Sequence, residues 1–358
     1  MNIPISSIIY TYIYKMFSAL ACGIIIGGLV VPNESSINQL QKLTKQYYVN
    51  PNKTLTNCTL STKKIMSMNT KFFPDEIKEL VPNFKYEKTF CRLVSPLKLS
   101  ITIMSTDGHV DESIPDFVCK ICNLLTKITG LRINEPLKIL IIPSDHKKMK
   151  PDSPQVLDAI NVNTGFYSDN TIVIFRNESL KKVIIHELIH FFYLDEPVEQ
   201  SLHLKEYQKK YKTLFGVSSD ILFFEVYTEA LTMILSCMIK SIELKVAFND
   251  IFYKEFDFCM SQAYNVLTYS GYQITQDGII PPSTYKERTN VLAYYVIKTI
   301  LLCDIDYLVR LLLRYKLKVS DSEVFKLIDS NYQNFVDQIQ NPKYHIIRDS
   351  LRMISFDL

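Results

Sequence analysis

The stretch Leu97 to Met104 (Leu-Lys-Leu-Ser-Ile-Thr-Ile-Met) alternates along the chain with the two-residue period of a strand. Leu137 to Ile142 is a short apolar run closed by Pro143, and it reads as a second strand. Val162 to Tyr167 and Thr171 to Arg176 flank Ser168-Asp169-Asn170, which is the signature of a hairpin. Between these strands the period changes. Ser113 to Thr129 carries an apolar face at helical spacing and ends near Gly130. A second helix is predicted from about Glu178 to Leu194, with Asn177 as its N-cap, Glu178 where the helix dipole favours an acid, and Pro197 as its stop. After residue 200 everything reads as helix, over Ser219 to Ile242, Val246 to Leu267, Thr289 to Tyr315 and Ser322 to Ile339. The predicted fold class is therefore α+β, a small sheet with helices followed by a mostly helical C-terminal half.

The N-terminus is patterned differently. Residues 3–31 are almost continuously apolar and are broken by Lys15. The clean run Met16 to Val31 falls just short of the ~20 residues a bilayer span needs, and Ile8 to Tyr14 supplies the rest if Lys15 snorkels. This predicts an N-terminal signal-anchor or transmembrane helix, with a cleaved signal peptide and a buried core helix as the alternatives. Lys15 before the run and Glu34 after it favour translocation of the body. The sequons at Asn33, Asn52 and Asn57 agree with that side, whereas an odd cysteine count in the body does not suit an oxidising compartment. Residues 32–94 are polar and mixed, with four prolines, and read as a stalk or leading subdomain. The divisions expected are then 1–31, 32–94, 95–200 and 201–358.

Composition removes some classes of function. The 358 residues are 47% hydrophobic, ample for a large core, and the net charge of +3 is nearly balanced. No basic run or aromatic-basic repeat points to nucleic acid. Of the eight cysteines only Cys119 and Cys122 are closely paired, and a zinc site would need a second pair that the chain lacks. On the apolar face of the 113–129 helix they read as two buried thiols.

The chemistry concentrates in His186-Glu187-Leu188-Ile189-His190. Two histidines four apart on a helix project from one face, and their imidazoles suit two corners of a zinc tetrahedron. Glu187, next to the first, reaches a metal-activated water from the side as general base. The motif lies within an apolar, helix-compatible run, and burying three such groups is costly unless they have a purpose. A third protein ligand is required. The next helix offers Glu225 and Glu229, again four apart on a largely apolar helix. Two stacked carboxylates repel one another unless a cation lies between or beside them. One would bind the metal, and the other would accept the outer ring N–H of a ligand histidine. Which does which is open on these grounds.

With both motifs present, the chain resembles the gluzincins, the thermolysin-like clan of zinc peptidases, and Glu225-Val-Tyr-Thr-Glu229-Ala230 closely resembles the corresponding helix of anthrax lethal factor. The resemblance covers about residues 95–240. It implies one Zn2+ ion held by His186, His190 and Glu225, with Glu229 behind a histidine and Glu187 as catalytic base. It also implies a zincin-like domain whose edge strand, here Asn163, Thr164, Gly165 and Phe166, binds an extended peptide antiparallel. In this clan a tyrosine or histidine from the C-terminal half commonly stabilises the oxyanion. The candidates are Tyr272, Tyr285, Tyr294, Tyr295 and His345, of which the pair Tyr294 and Tyr295 is preferred. The interval between His190 and Glu225 is longer than in thermolysin itself.

The expected function is thus a zinc metallopeptidase anchored in a membrane, acting on peptide or protein substrates and not on nucleic acid. The alternatives are a catalytically inactive zincin-fold membrane protein with an interaction role, and a zinc hydrolase of a non-peptide amide.

Overall fold

The computed structural model describes residues 25–26, 29–30, 34–51, 72–151, 156–283 and 285–358. Most of the predicted N-terminal transmembrane segment, and the sequons at Asn33, Asn52 and Asn57, lie outside these residues. Within that segment, β1 (Ile25–Ile26) and β2 (Leu29–Val30) pair antiparallel. No described helix is long and apolar enough to cross a membrane.

The architecture is mixed α+β, with a five-stranded sheet and a helical C-terminal half. Helix α1 (Glu34–Tyr47) and the short α2 (Asp75–Leu80) precede strands β3 (Tyr86–Val94) and β4 (Leu97–Ser105). Helix α3 (Ser113–Thr129) crosses over to β5 (Leu137–Ile141). It ends as predicted, on Gly130 in the left-handed region at φ 73. A short α4 (Ala159–Val162) leads to β6 (Gly165–Ser168) and β7 (Thr171–Ile174), and these to α5 (Leu180–Phe191).

The strand order is β3-β4-β5-β7-β6, parallel in the centre and antiparallel at both ends. Both faces are covered, which is why the central strands β5 and β7 read as short, nearly continuous apolar runs. Ile139, Ile141, Ile172 and Ile174 face the main core with α3 and α5. Leu140, Val173 and Phe166 face a smaller cluster built on Phe73 and Ile77. The β6–β7 hairpin turns through Asp169 (φ 48) and Asn170 (φ 55), the two-residue turn that matches strand twist. Strand β6 is the sheet's edge, and it is shorter than its predicted span, because the preceding residues close α4 instead. At Gly165 an added Cβ would meet the Val173 carbonyl oxygen at 2.7 Å, so only glycine allows this close an approach.

The 32–94 stretch is not peripheral where it is described. β3 pairs along its whole length with β4, and α1 packs on the helical half. Cys91 on β3 is disulfide-bonded, and Cys119 and Cys122 are free and buried, as expected of that pair.

Beyond α5 come α6 (Glu196–Glu199), α7 (Leu204–Phe215), α8 (Phe223–Leu244) and α9 (Phe248–Tyr269). The all-helical expectation then fails once. β8 (Gln273–Thr275) and β9 (Gly278–Ile280) form a hairpin whose strands are too short to show a period. The helix expected over Thr289 to Tyr315 is divided into a π-helical segment Leu292–Ile297, α10 (Lys298–Leu302) and α11 (Ile305–Arg314). The side chain of Asp304 accepts from Tyr307 N and caps a new start after α10. α12 (Asp321–Ile339) closes the bundle.

Glu287 prepares the π-helical segment, accepting from Leu292 N at 3.0 Å and Tyr285 Oη at 2.9 Å. Burial pushes its carboxyl up from 4.5 to about 7, against the lowering effect of those two donors. The folded state therefore holds this proton between pH 4.5 and about 7 while the unfolded state has lost it. Stability from this group is full below pH 4.5 and falls as pH rises through 7, by at most about 3 kcal/mol, and by less because the side chain keeps some contact with solvent. Glu287→Gln is expected to flatten this dependence, seen as urea midpoints that converge between pH 5 and pH 8.

Candidate metal centre

Helix α5 carries the histidine motif into the core. Val183, Ile184, Ile185, Leu188, Ile189 and Phe191 are buried around it. Its start differs from the prediction. Ser179, left-handed at φ 60, is the N-cap and makes no side-chain cap. Asn177 instead donates through Nδ2 to the Pro143 carbonyl and Asp145 Oδ1, and Glu178 Oε2 accepts from Lys148 N. Both side chains tie the helix start to the loop after β5 and cannot cap it.

The end of α5 is equally consequential. Tyr193 takes φ 52, Leu194 N donates to Ile189 O and Tyr193 N to His190 O. This paired closure stops the helix and reverses the chain. Asp195 is thereby turned back onto the motif, with Oδ2 at 2.6 Å from His190 Nδ1. The same oxygen accepts from Thr228 Oγ1 of α8 at 3.3 Å.

On the other side of the rings, His186 Nε2 and His190 Nε2 lie 3.1 Å apart. Glu225 Oε2 is 3.2 Å from the first and 3.5 Å from the second. Ligand atoms at ~2.0–2.1 Å from a tetrahedral ion are separated by about 3.3 Å. Glu225 Oε2 is buried and has no hydrogen-bond partner. A carboxylate oxygen and two imidazole nitrogens thus converge on one point, the oxygen without a well-aligned hydrogen bond among the described residues, and a cation fits there. One carboxylate oxygen of Glu187 lies within 4.8 Å of both histidine nitrogens, so the His186, Glu187, His190 group could hold a metal ion.

Glu229 lies on the far side. His186 Nδ1 faces its Oε1 at 2.8 Å, although off the line of a good hydrogen bond. Lys182, one helical turn before His186, pairs with the same oxygen, and Lys298 Nζ stands 4.0 Å from Oε2. All three are almost fully buried. The geometry therefore separates the two carboxylates that the sequence left open: Glu225 faces the convergence point, and Glu229 backs a histidine.

The electrostatics agree. Burial pushes the His186 imidazole down, but Glu225 and Glu229 more than reverse it. Burial acts the same way on His190, and Glu225 and Asp195 hold it well above its usual value. Burial would raise Glu225, but the two imidazoles bring it to about 2. Lys182 foremost holds Glu229 well below the carboxylate range against burial. Glu187 alone among these acids is pushed up, by burial first.

A cavity of about 270 Å³ opens over the group, lined by His186, Glu187, His190 and Glu225 together with Asn163, Gly165, Phe166 and Tyr167. Of the four residues expected on the edge strand, Gly165 and Phe166 are in β6. Asn163 caps α4 and Thr164 follows it, with the Thr164 carbonyl accepting from Phe175 N. Asn163 still lines the cavity, held through its Oδ1 by Thr289 Oγ1.

The tyrosine pair divides. Tyr294 lines the cavity, its ring centroid 6.4 Å from that of His186, and its hydroxyl accepts from Asn290 Nδ2 at 3.3 Å. Tyr295 does not reach the site, because its buried hydroxyl donates to the Leu351 carbonyl. Adjacent residues on a helix point in different directions, and here only Tyr294 is turned to the cavity. Tyr272 donates to Phe215 O, Tyr285 to Glu287, and His345 stacks on Tyr264, all away from the cavity.

Sequence reasoning missed Asp195, Lys182 and Lys298. Lys182 carried a signal, since it precedes His186 by four on a buried helix and so shares its face. Asp195 depends on the reversal at Tyr193, and Lys298 on the packing of α10 against α8, neither of which spacing reveals. Compared with known proteins, the chain matches no family model and no curated protein.

Proposed function

We propose that this chain is a zinc-dependent metallopeptidase. The observation that carries the reading is the triangle of His186 Nε2, His190 Nε2 and Glu225 Oε2, with sides of 3.1, 3.2 and 3.5 Å. Two imidazoles and one carboxylate are a donor set that suits zinc and leaves a fourth position free for chemistry. Zinc, when bound, supplies a Lewis acid that acidifies a water and polarises the carbonyl to be attacked.

The chain's own residues supply the rest. Glu187 stands beside the donor atoms, and its raised affinity for protons suits taking one from water and passing it to the departing amine. Tyr294 presents a hydroxyl in the same cavity and is suited to donate to the oxygen of the tetrahedral intermediate. Among the described residues β6 has one unpaired edge, which offers backbone N–H and C=O groups to an extended peptide. Asp195 and Glu229 hold the two rings from behind, fixing which nitrogen of each faces the metal.

Elemental analysis of the full-length chain, with cleavage of a mixed peptide library alongside, tests this reading. Near one zinc per chain is expected. Cleavage should be abolished by a chelator and restored by zinc. Well-folded chain that takes up no zinc would sink the reading. Zinc without cleavage would leave only a structural or interaction role.

A further inference from the structure

The cavity over the histidine pair has an unusual balance of charge. Four carboxylates lie in its wall, those of Glu187, Asp195, Glu199 and Glu225, and no described lysine or arginine lines it. Three of them have work elsewhere. Glu225 faces the two imidazole nitrogens, Asp195 is engaged by His190 and Thr228, and Glu187 adjoins the donor group. Glu199, at the end of α6, has no hydrogen-bond or ion-pair partner for its carboxylate among the described residues and is open to solvent. Even over a divalent cation, the four acids leave two negative charges.

The cavity wall that holds Glu199 also carries aromatic rings. Tyr193 and Phe224 line the same cavity, and the Phe224 ring stands edge-to-face with His190 at 5.9 Å. Aromatic faces accept the stem and the charge of a lysine or arginine side chain, and a free carboxylate completes its hydrogen bonds. An acidic substrate side chain in the same place would meet repulsion from Glu199 and Asp195 together. Partial burial already raises the Glu199 carboxyl, with Asp195 the first charge to add to it.

We infer that Glu199 makes this cavity a subsite for a basic side chain, so that the chain selects peptides carrying arginine or lysine close to the bond it cleaves. The inference rests on the peptidase reading above. Selection of this kind acts through one free charge at the rim, and added salt weakens it.

Binding separates the inference from catalysis. The probe is the full-length chain carrying Glu187→Gln, loaded with zinc, titrated with fluorescent peptides of one scaffold. A single Arg, Gln or Glu is placed at each position in turn. At one position the Arg peptide is expected to bind about tenfold more tightly than the Gln peptide, with the Glu peptide weakest. Adding Glu199→Gln should bring the Arg peptide to the level of the Gln peptide, and Glu199→Lys should reverse the order in favour of Glu. Zinc content and circular dichroism verify that each variant is folded. Peptides bound without preference, or an Arg preference that survives Glu199→Gln, overturn the subsite and leave the peptidase reading standing. A zinc-loaded chain that binds none of the peptides overturns both.

Discussion

Glu187→Gln is expected to lower peptide cleavage by about 10²–10⁴-fold while zinc stays near one per chain. The substitution preserves shape and a carbonyl oxygen but removes the basic electron pair. Glu187 is almost fully buried and stands within 4.8 Å of the histidine donor atoms, but it is not part of the close triangle that they form with Glu225. Loss of its charge should therefore leave metal binding nearly unchanged. The paired readout decides the role. Loss of cleavage with zinc retained identifies a proton carrier. Loss of zinc to the same degree would make Glu187 a ligand. Unchanged cleavage would exclude it from the chemistry altogether.

Lys182→Met is expected to destabilise the fold by about 3–5 kcal/mol, the range for breaking a buried ion pair on one side. Lys182 and Glu229 are each 3% exposed, and the alternative cation, Lys298, lies 4.0 Å from the other carboxylate oxygen. Without Lys182 the Glu229 carboxylate keeps its burial and loses its nearest charge. Its position against His186 Nδ1 at 2.8 Å should loosen as well, and zinc affinity should fall about 10–100-fold. Urea unfolding and zinc titration of the same samples measure the two effects. Lys182→Met combined with Glu229→Gln removes the unpaired charge, and the pair should recover part of the stability but not the zinc affinity. Single and double variants of equal stability would show that the ion pair does not hold this part of the core.

How much of this was legible beforehand depends on distance along the chain. The spacing of His186 and His190 fixed a common helix face, because the helical repeat alone puts residues four apart together. The same rule put Glu225 and Glu229 on one face but could not say which approached the histidines. That choice is made where α5 and α8 cross, which sets Glu225 Oε2 against both Nε2 atoms and Glu229 against the outer nitrogen of His186. Tyr294 and Tyr295 were equivalent candidates by position. The π-helical segment and the Leu351 carbonyl distinguish them, and that carbonyl comes from a strand of chain 56 residues later.

The sequence by itself determined the parts governed by local physics. These are the α+β class, the hairpin at Asp169-Asn170, the helix over Ser113–Thr129 and the two motif helices, because period and turn chemistry act over a few residues. Only the tertiary structure decided what depends on contacts between distant segments. It brought Asp195 back onto His190 through the reversal at Tyr193, and it set Lys182 and Lys298 around Glu229. It also left Glu199 in the cavity wall as an exposed carboxylate without a hydrogen-bond or ion-pair partner among the described residues. The physical reason is that a charge buried in the core is tolerated only beside its partner, and the partner is chosen by packing in space, which spacing along the chain does not encode.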